Sequence, residues 1–513
     1  MIGLVFDCVF SITRSLALFL LYILSFMAMI FSATFAEGLP AFTELSLEKA
    51  IEIALKENKE IQSSEYGVIS SKYELSASYG NLFPQLNLEG KITKINDPIT
   101  LDVGSIRTAM IGADTNVFRS ATNSNVATVA GFSRALEQAI PPFKMEIQDD
   151  HYYNLSATLS QTLFTGGKIT ANINAKKEDL SISEAQDYGT KDKVISEVVI
   201  NYFKVQLLKE LVKIRAEVVN GLREHQAHAL KLLKAGLLSK ANKMRADVAL
   251  AEAIREEYKT QQDLELSYIL LNNSLGLIVP SPSTTSPTIS PTTLLTTPLF
   301  ITEEKISLEE YLQKAITENY NLQTLGHKQN QLGEKSDAIA ASFYPTFAAF
   351  AKYELYRKDL TLFEPDWAIG VVMKMNIFEG GANLHNLQAV AAQKKMLATY
   401  HENVTSLVKT EIQKYYHDLK TAREQIKSLE SSSLLAKENL RLNKLSFAEG
   451  VATSLEVIDA ELALSKVKTE QSKAMFDYDS ALVNLFRSTG NAKRILQSAL
   501  SAVSAVSAVK EKK

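Results

Sequence analysis

Few side chains in this sequence are spaced for chemistry. His225 and His228 lie three apart and would share one helix face, but two imidazoles without a third ligand make no zinc site. The pair reads as a solvated face. Gly166-Gly167 and Gly380-Gly381 lack the Gly-x-x-x-x-Gly-Lys context that cradles phosphate, and fit places where a strand bends into a helix. No Ser/His/Asp set stands at a strand end, so no enzyme, metal or cofactor is expected. Glu456 and Asp459, at i,i+3, also share a helix face. The helix dipole alone, which favours acids near a helix start, accounts for that pair.

The elements that could position such residues follow from length and patterning. The chain has 513 residues, 46% apolar, with Lys+Arg 55 against Asp+Glu 58 and a net charge of −3. A nucleic-acid binder would carry a basic excess, so nucleic acid is not an expected partner. Mean hydropathy is −0.04, which excludes a polytopic helical membrane protein. Residues 15–31 form one apolar run after Arg14, followed by SATFAEG. A secretory signal over 1–36, cleaved after Ala36, is the reading adopted, with a single membrane anchor as its rival. Cys8, the sole cysteine, lies ahead of that run, so a mature chain would hold no disulfide.

The remainder is an internal duplication. SLEKAIEIALKEN at 46–58 matches SLEEYLQKAITEN at 307–319 with an offset of 261, which also pairs Pro84 with Pro345. Further on the offset is 214, pairing Phe164-x-Gly-Gly with Phe378-x-Gly-Gly, Gly236 with Gly450, and Gly276 with Gly490. The change of offset marks an insertion in the first half. The repeats span 37–276 and 306–490, joined by a Pro/Ser/Thr-rich linker at 277–305 and followed by a low-complexity tail, 491–513, expected to be frayed.

Each half reads as helix, strand pair, long helical hairpin. A helix over about 46–80, and again 307–341, stops before Pro84 or Pro345. Strands are expected at 85–93, 153–163, 346–356 and 367–377, two of which alternate clearly. Tyr153, Leu155, Ala157 and Leu159 oppose Asn154, Ser156, Thr158 and Ser160; Trp367, Ile369, Val371 and Met373 oppose Ala368, Gly370, Lys374 and Asn376. Ile412, Tyr415, Leu419, Ala422 and Ile426 then step by threes and fours, a coiled-coil seam. Helices over 168–234 and 382–448 would each run about 100 Å, break at Gly236 or Gly450, and return to Gly276 or Gly490.

Four strands cannot close a barrel, and an open sheet edge is not tolerated in lipid. Three copies would supply twelve strands, enough for a water-filled conduit. Tyr152, Tyr153, Tyr353, Tyr356 and Trp367 would form an aromatic girdle at the interface. Soluble hairpins packed on helices would show the same alternation, and a coiled-coil scaffold or trimeric adhesin remains an alternative to a channel.

The duplicated plan, the two F-x-G-G motifs and LSFAEGVATSLEVIDAELAL at 445–464 resemble the TolC-like outer-membrane efflux proteins over the whole mature chain. The resemblance implies a mainly α homotrimer in the Gram-negative outer membrane: a 12-stranded barrel in lipid continuing into a periplasmic α-barrel. It implies an exit duct for efflux or type I secretion, served by an inner-membrane transporter and a periplasmic adaptor. It places adaptor docking at the two tips, through Gly236, Leu237, Leu238 and Ser239, and through Gly450, Val451, Ala452 and Thr453. It assigns Glu456 and Asp459, in L-E-V-I-D-A, to an acidic ring at the periplasmic aperture; their repeat counterparts are Asn242 and Arg245. Pro84, Pro345 and the two Gly-Gly pairs mark strand–helix transitions. Two positions depart from the family: Phe447 and Ala452 stand where a Tyr and an Arg clamp the entrance shut. The inserted 94–150 stretch reads as a polar extracellular loop over the pore mouth.

Overall fold

The computed structural model describes residues 44–102, 104–122, 126–140, 144–277, 289–290, 293–302, 307–358 and 365–510. The signal segment 1–36 with Cys8, and much of the linker, lie outside the described residues. In chain order the elements are β1 Glu44–Leu45, α1 Leu47–Glu57, α2 Lys59–Tyr79, β2 Gln85–Lys94, β3 Ile99–Asp102, α3 Gly104–Thr122, α4 Val126–Ala139, β4 Lys144–Gln148 and β5 His151–Phe164. Then come α5 Lys168–Lys234, α6 Lys240–Ser274, β6 Leu294–Leu295, α7 Leu308–Glu318, α8 Tyr320–Ala340, β7 Thr346–Lys358, β8 Trp367–Lys374, α9 Ala382–Ala448, α10 Ser454–Ser488 and α11 Arg494–Lys510. The fold is mainly helical. Helices α5 and α9 each run 67 residues, and both α6 and α10 run 35, so the halves agree in length as well as in order.

Two compact units divide the chain, and they cut across the repeats rather than between them. One gathers the residues up to Tyr66, Gln186–Leu322 and Thr405 onward; the other holds Gly67–Ala185 and Gln323–Val404.

The first unit is built round the returning ends of the helical hairpins. Each initial helix is interrupted by an asparagine, at Asn58 and Asn319. The side-chain oxygen of Asn58 accepts from the N–H groups of Glu60 and Ile61, at 2.9 and 3.3 Å, starting α2. Its amide donates to Ser274 O at 2.9 Å, at the end of α6. Asn319 repeats the arrangement, accepting from Asn321 and Leu322 and donating to Ser488 O at 2.9 Å. Gly276 and Gly490, at φ 77° and 70°, bring the chain against these corners; a Cβ on Gly490 would lie 2.2 Å from Glu318 O. The described part of the linker is a strap on α5: Tyr202 Oη donates to Leu45 O at 2.8 Å and accepts from Thr297 N–H at 3.0 Å. The Gln206 amide donates to Leu295 O and Thr297 O, at 3.0 and 2.8 Å. The tail departs from expectation. It is helical from Arg494, because Ile495, Ala499 and Ala502 recur at helical spacing and are buried.

In the second unit four strands form one antiparallel sheet in the order β2-β5-β7-β8, so the two repeats share it. β8 ends at Lys374, short of the expected 377, because its partner begins at Thr346 after Pro345; Thr346 Oγ1 donates to Lys374 O at 3.0 Å. The insertion is largely helical rather than loop. α3 and α4 join through stacked Phe118 and Phe132, centroids 4.0 Å apart, and Arg107 donates to Ile140 O and Glu137 O, both at 2.7 Å. Ile111, Thr115 and Phe118 on α3, and Val129, Phe132 and Leu136 on α4, have the spacing of facing helix stripes. Small β3 and β4 close the base of the insertion.

Asn319→Ala removes three hydrogen bonds at a buried corner and should cost about 2 kcal/mol. Gly490→Ala, which combines a left-handed backbone with a backbone clash, should cost more. Denaturant midpoints of the two variants against wild type would check this order.

Candidate functional site: an amphipathic sheet and a four-helix tip

The register of the sheet puts like residues side by side. Leu86, Leu159, Ala351 and Ile369 lie opposite one another across all four strands, as do Leu88, Ala157, Tyr353 and Trp367. Opposed residues share a face, so these rows build one apolar surface. The intervening row, Asn87, Thr158, Lys352 and Ala368, builds a more polar one. Lys352 Nζ meets Glu354 Oε1 on that face at 2.7 Å. The apolar face is uncovered: Leu86 is 73% exposed and Ile369 74%. Along their outer sides β2 and β8 pair with no strand among the described residues.

Aromatic residues mark both ends of the apolar face. Tyr153, Tyr353, Tyr356 and Trp367 lie toward the 95–150 end, whereas Tyr152, expected with them, adjoins Tyr153 on β5 and so takes the other face. A second band was not anticipated: Phe83, Phe164, Phe343, Tyr344 and Phe378, all exposed, at the strand–helix end. Tyr153 and Phe164 are eleven residues apart on β5, about 35 Å along the strand, or about 25 Å of height at a tilt near 45°. The signal for the second band was present as FP and YP before each strand pair and F-x-G-G after it. At this end Gly166 and Gly380 adopt φ 65° and 62°, and a Cβ on Gly166 would lie 2.7 Å from Tyr344 Cβ. Among the described residues no helix is long and apolar enough to cross a membrane, a criterion that does not bear on strands.

At the other functional region the two hairpin turns are near-copies. Gly236 and Gly450 take φ 73° and 76°, and the N–H groups of Leu237 and Val451 return to Leu232 O and Ser446 O at 2.9 and 2.8 Å. These are Schellman-type ends. Leu237 and Val451 point outward, 76% and 79% exposed, whereas Leu238 and Ala452 turn inward. Ser239 and Thr453 cap α6 and α10. The acids on α10 differ in situation. Glu456 completes a capping box, accepting from Thr453 N–H at 2.6 Å while its own N–H donates to Thr453 Oγ1 at 3.3 Å. Asp459 is exposed one turn on. The first half caps α6 with Ser239 and Asn242 N–H alone, at 3.3 Å, and has no acid there.

Beneath the turns, all four long helices meet. Ala229 of α5, Ala246 of α6, Phe447 of α9 and Val457 of α10 form a buried cluster, with Leu232, Leu238 and Ala452 against it. Phe447 and Ala452 thus serve as apolar packing inside one chain. His225 is not on a solvated face, as its spacing suggested: it is buried, its ring 4.6 Å from that of Phe447, its Nε2 2.7 Å from Ser454 Oγ. The partners that bury it come from the other repeat, which spacing within α5 could not reveal. Burial, with lesser repulsion from His228 and Lys444, pushes the imidazole down to about 4. One layer deeper, Lys444 reaches the largely buried Glu461 at 2.9 Å, and Gly221 of α5 makes room for that carboxylate. A Cβ there would lie 2.7 Å from Glu461 Oε1.

Because its folded value lies below the ordinary 6.5, His225 contributes fully above pH 6.5 and progressively less as pH falls toward 4. Over that window the unfolded chain takes up a proton that the folded tip refuses, at a cost of up to about 3 kcal/mol. His225→Phe keeps the packing and removes the titration. The variant should therefore gain on wild type in unfolding midpoint between pH 7 and pH 4. A constant difference across that range would contradict the assignment.

Comparison with known proteins agrees with this geometry. The sequence signature of the family described as outer membrane efflux protein matches residues 50–277 and 311–491. Alkaline protease secretion protein AprF of Pseudomonas aeruginosa is 24% identical over 177 residues, 33% of this chain and 36% of that protein. The chain thus spans about a third of the length of this curated relative. Among solved structures, VceC of Vibrio cholerae aligns with a TM-score of 0.65 at 16% identity, covering 87% of this chain and 96% of that one. The CmeC outer membrane channel of Campylobacter jejuni aligns at 0.65 and 14%, covering 89% and 90%. A membrane protein from Pseudomonas aeruginosa aligns at 0.67 and 15%, covering 88% and 91%. At these identities the structures show the fold alone. With the signature covering most of both repeats, the chain belongs to the outer membrane efflux protein family.

Proposed function

We propose that the chain is one third of a homotrimeric channel that spans the outer membrane and extends through the periplasm as an exit duct. The observation that carries this reading is the four-stranded sheet with one uncovered apolar face and two edges that are unpaired among the described residues. In lipid every backbone polar group needs a partner, so the edges must pair with further copies. Twelve strands give a lumen wide enough for water, lined by the face that carries Asn87, Thr158 and Lys352. Helices α5, α6, α9 and α10 of three copies then continue the wall as an α-barrel.

The tips form the periplasmic entrance and dock a periplasmic adaptor that links the duct to an inner-membrane transporter. Exposed Leu237 and Val451 suit that contact best; Leu238 and Ala452 are spent on the tip's own packing, and Ser239 and Thr453 on helix caps. Glu456 and Asp459 from three copies form an acidic ring of six carboxylates that favours cations. The name of the relative AprF, an alkaline protease secretion protein, favours protein secretion as one use of the duct; small-molecule efflux is the other.

Two measurements test this. Purified protein in a planar bilayer should conduct with cation selectivity, and millimolar divalent cations should block it. Glu456→Gln with Asp459→Asn keeps the capping geometry, and should abolish the block and lower the selectivity several-fold. Absence of conductance in wild type and in this variant would overturn the channel reading. Photocrosslinking from Leu237 or Val451 in cells should capture an adaptor, and Lys240 should not.

A further inference from the structure

The two hairpins of the sheet are equivalent residue by residue. Adding 261 to β2 and 214 to β5 turns the pair Gln85↔Ser160 into Thr346↔Lys374, and Leu88↔Ala157 into Ala349↔Val371. The same substitution reproduces every pair of the second hairpin from Thr346↔Lys374 to Tyr353↔Trp367. One chain therefore contains two copies of one hairpin and one junction between them, β5 against β7. Closing a ring needs a second kind of junction, β8 against the β2 of another copy. The intramolecular junction is a template for it.

Carrying the β5–β7 register over by the same offsets gives definite partners. Ser160↔Phe350 becomes Lys374 opposite Glu89, Leu159↔Ala351 becomes Met373 opposite Gly90, and Ala157↔Tyr353 becomes Val371 opposite Ile92. Two observations favour this register. It sets a cation against an anion on the polar face, although neither charge has such a partner in the template pair. It also keeps apolar residues opposite apolar ones or glycine on the other face. A slip by one residue would mix the faces.

The flanking helices carry the same signature of a missing neighbour. Ile182 on α5 is 8% exposed, while its repeat counterpart, Met396 on α9, is 67% exposed. Gly166 is packed against Tyr344, while its counterpart Gly380 has nothing within reach. The counterpart of Tyr344 is Phe83, itself exposed.

We propose that β8 of one copy pairs antiparallel with β2 of a second copy in the register of β5 with β7, placing Lys374 against the partner's Glu89 and Gly380 against the partner's Phe83. This rests on the reading of the chain as a ring of copies, and specifies which surface meets which. Like charges directly opposite on neighbouring strands disfavour pairing, and opposite charges favour it.

The test is disulfide trapping in full-length mature protein in the outer membrane. Gly90→Cys with Met373→Cys, and separately Ile92→Cys with Val371→Cys, should each give covalent trimers on oxidation. Leu88→Cys or Ile92→Cys combined with Met373→Cys, two residues out of register on the same face, should give at least ten-fold less. A Cβ at Gly90 meets only Leu155 Cδ1 at 3.6 Å, so that variant is accommodated. In parallel, Glu89→Lys and Lys374→Glu should each lower the temperature at which trimers dissociate in detergent, and the double variant should recover it. Stronger trapping in a shifted register, or a double variant no better than the singles, would overturn the proposed register while leaving the trimer standing. A monomer by sedimentation, with no trapping from any pair, would overturn both.

Discussion

A strand in hydrocarbon has no water to satisfy its edge, and most of this chain's design follows from that constraint. Among the described residues the sheet has four strands, and β2 and β8 pair with none along their outer sides. It cannot be a finished object in a membrane. Duplication supplies an economical remedy, since a repeated hairpin already contains, between β5 and β7, the kind of contact by which further hairpins could be added. The aromatic bands at both ends of the apolar face define a height near that of a bilayer core, and the Gly-Gly pairs turn the strands into helices directly beyond it.

In the helical tip the controlling interaction is packing rather than backbone pairing. Four helix ends converge on Phe447, with the neutral imidazole of His225 sealed against the ring and hydrogen-bonded to Ser454. A proton there would lie close to the start of α10, to His228 and to Lys444, all unfavourable to added positive charge. The acids of the same helix serve different ends. Glu456 completes the helix cap and Glu461 forms a buried pair with Lys444, while Asp459 between them is exposed.

Much of the plan was readable from the chain because it repeats. The matching FPQL and YPTF, the two F-x-G-G motifs, and glycine-free runs such as 382–448 located strands, bends and helices closely. Residues whose environment comes from the other repeat were not readable. His225 looked solvated because Phe447 and Ser454, which bury it, are more than 200 positions away. The insertion looked like loop because its Ala, Gly, Ser and Thr content hid the spacing of Ile111, Thr115 and Phe118. The asparagine corners could have been found: Asn58 and Asn319 end matching segments, and an asparagine at a helix end followed directly by another helix suggests a cap for the second.

The two units differ in what completes them. In the helical tip, the cluster round Phe447 is closed by residues of its own chain. The sheet instead leaves Leu86 and Ile369 exposed and, among the described residues, two backbone edges unpaired. If other copies complete it, as proposed above, its free energy carries a mass-action component and falls as chains become dilute. On the reading proposed above, a newly made chain would pass through a stage with a formed tip cluster and an unfinished sheet. Its lifetime would be set by how often other copies arrive, and that stage is the one most exposed to proteolysis and aggregation.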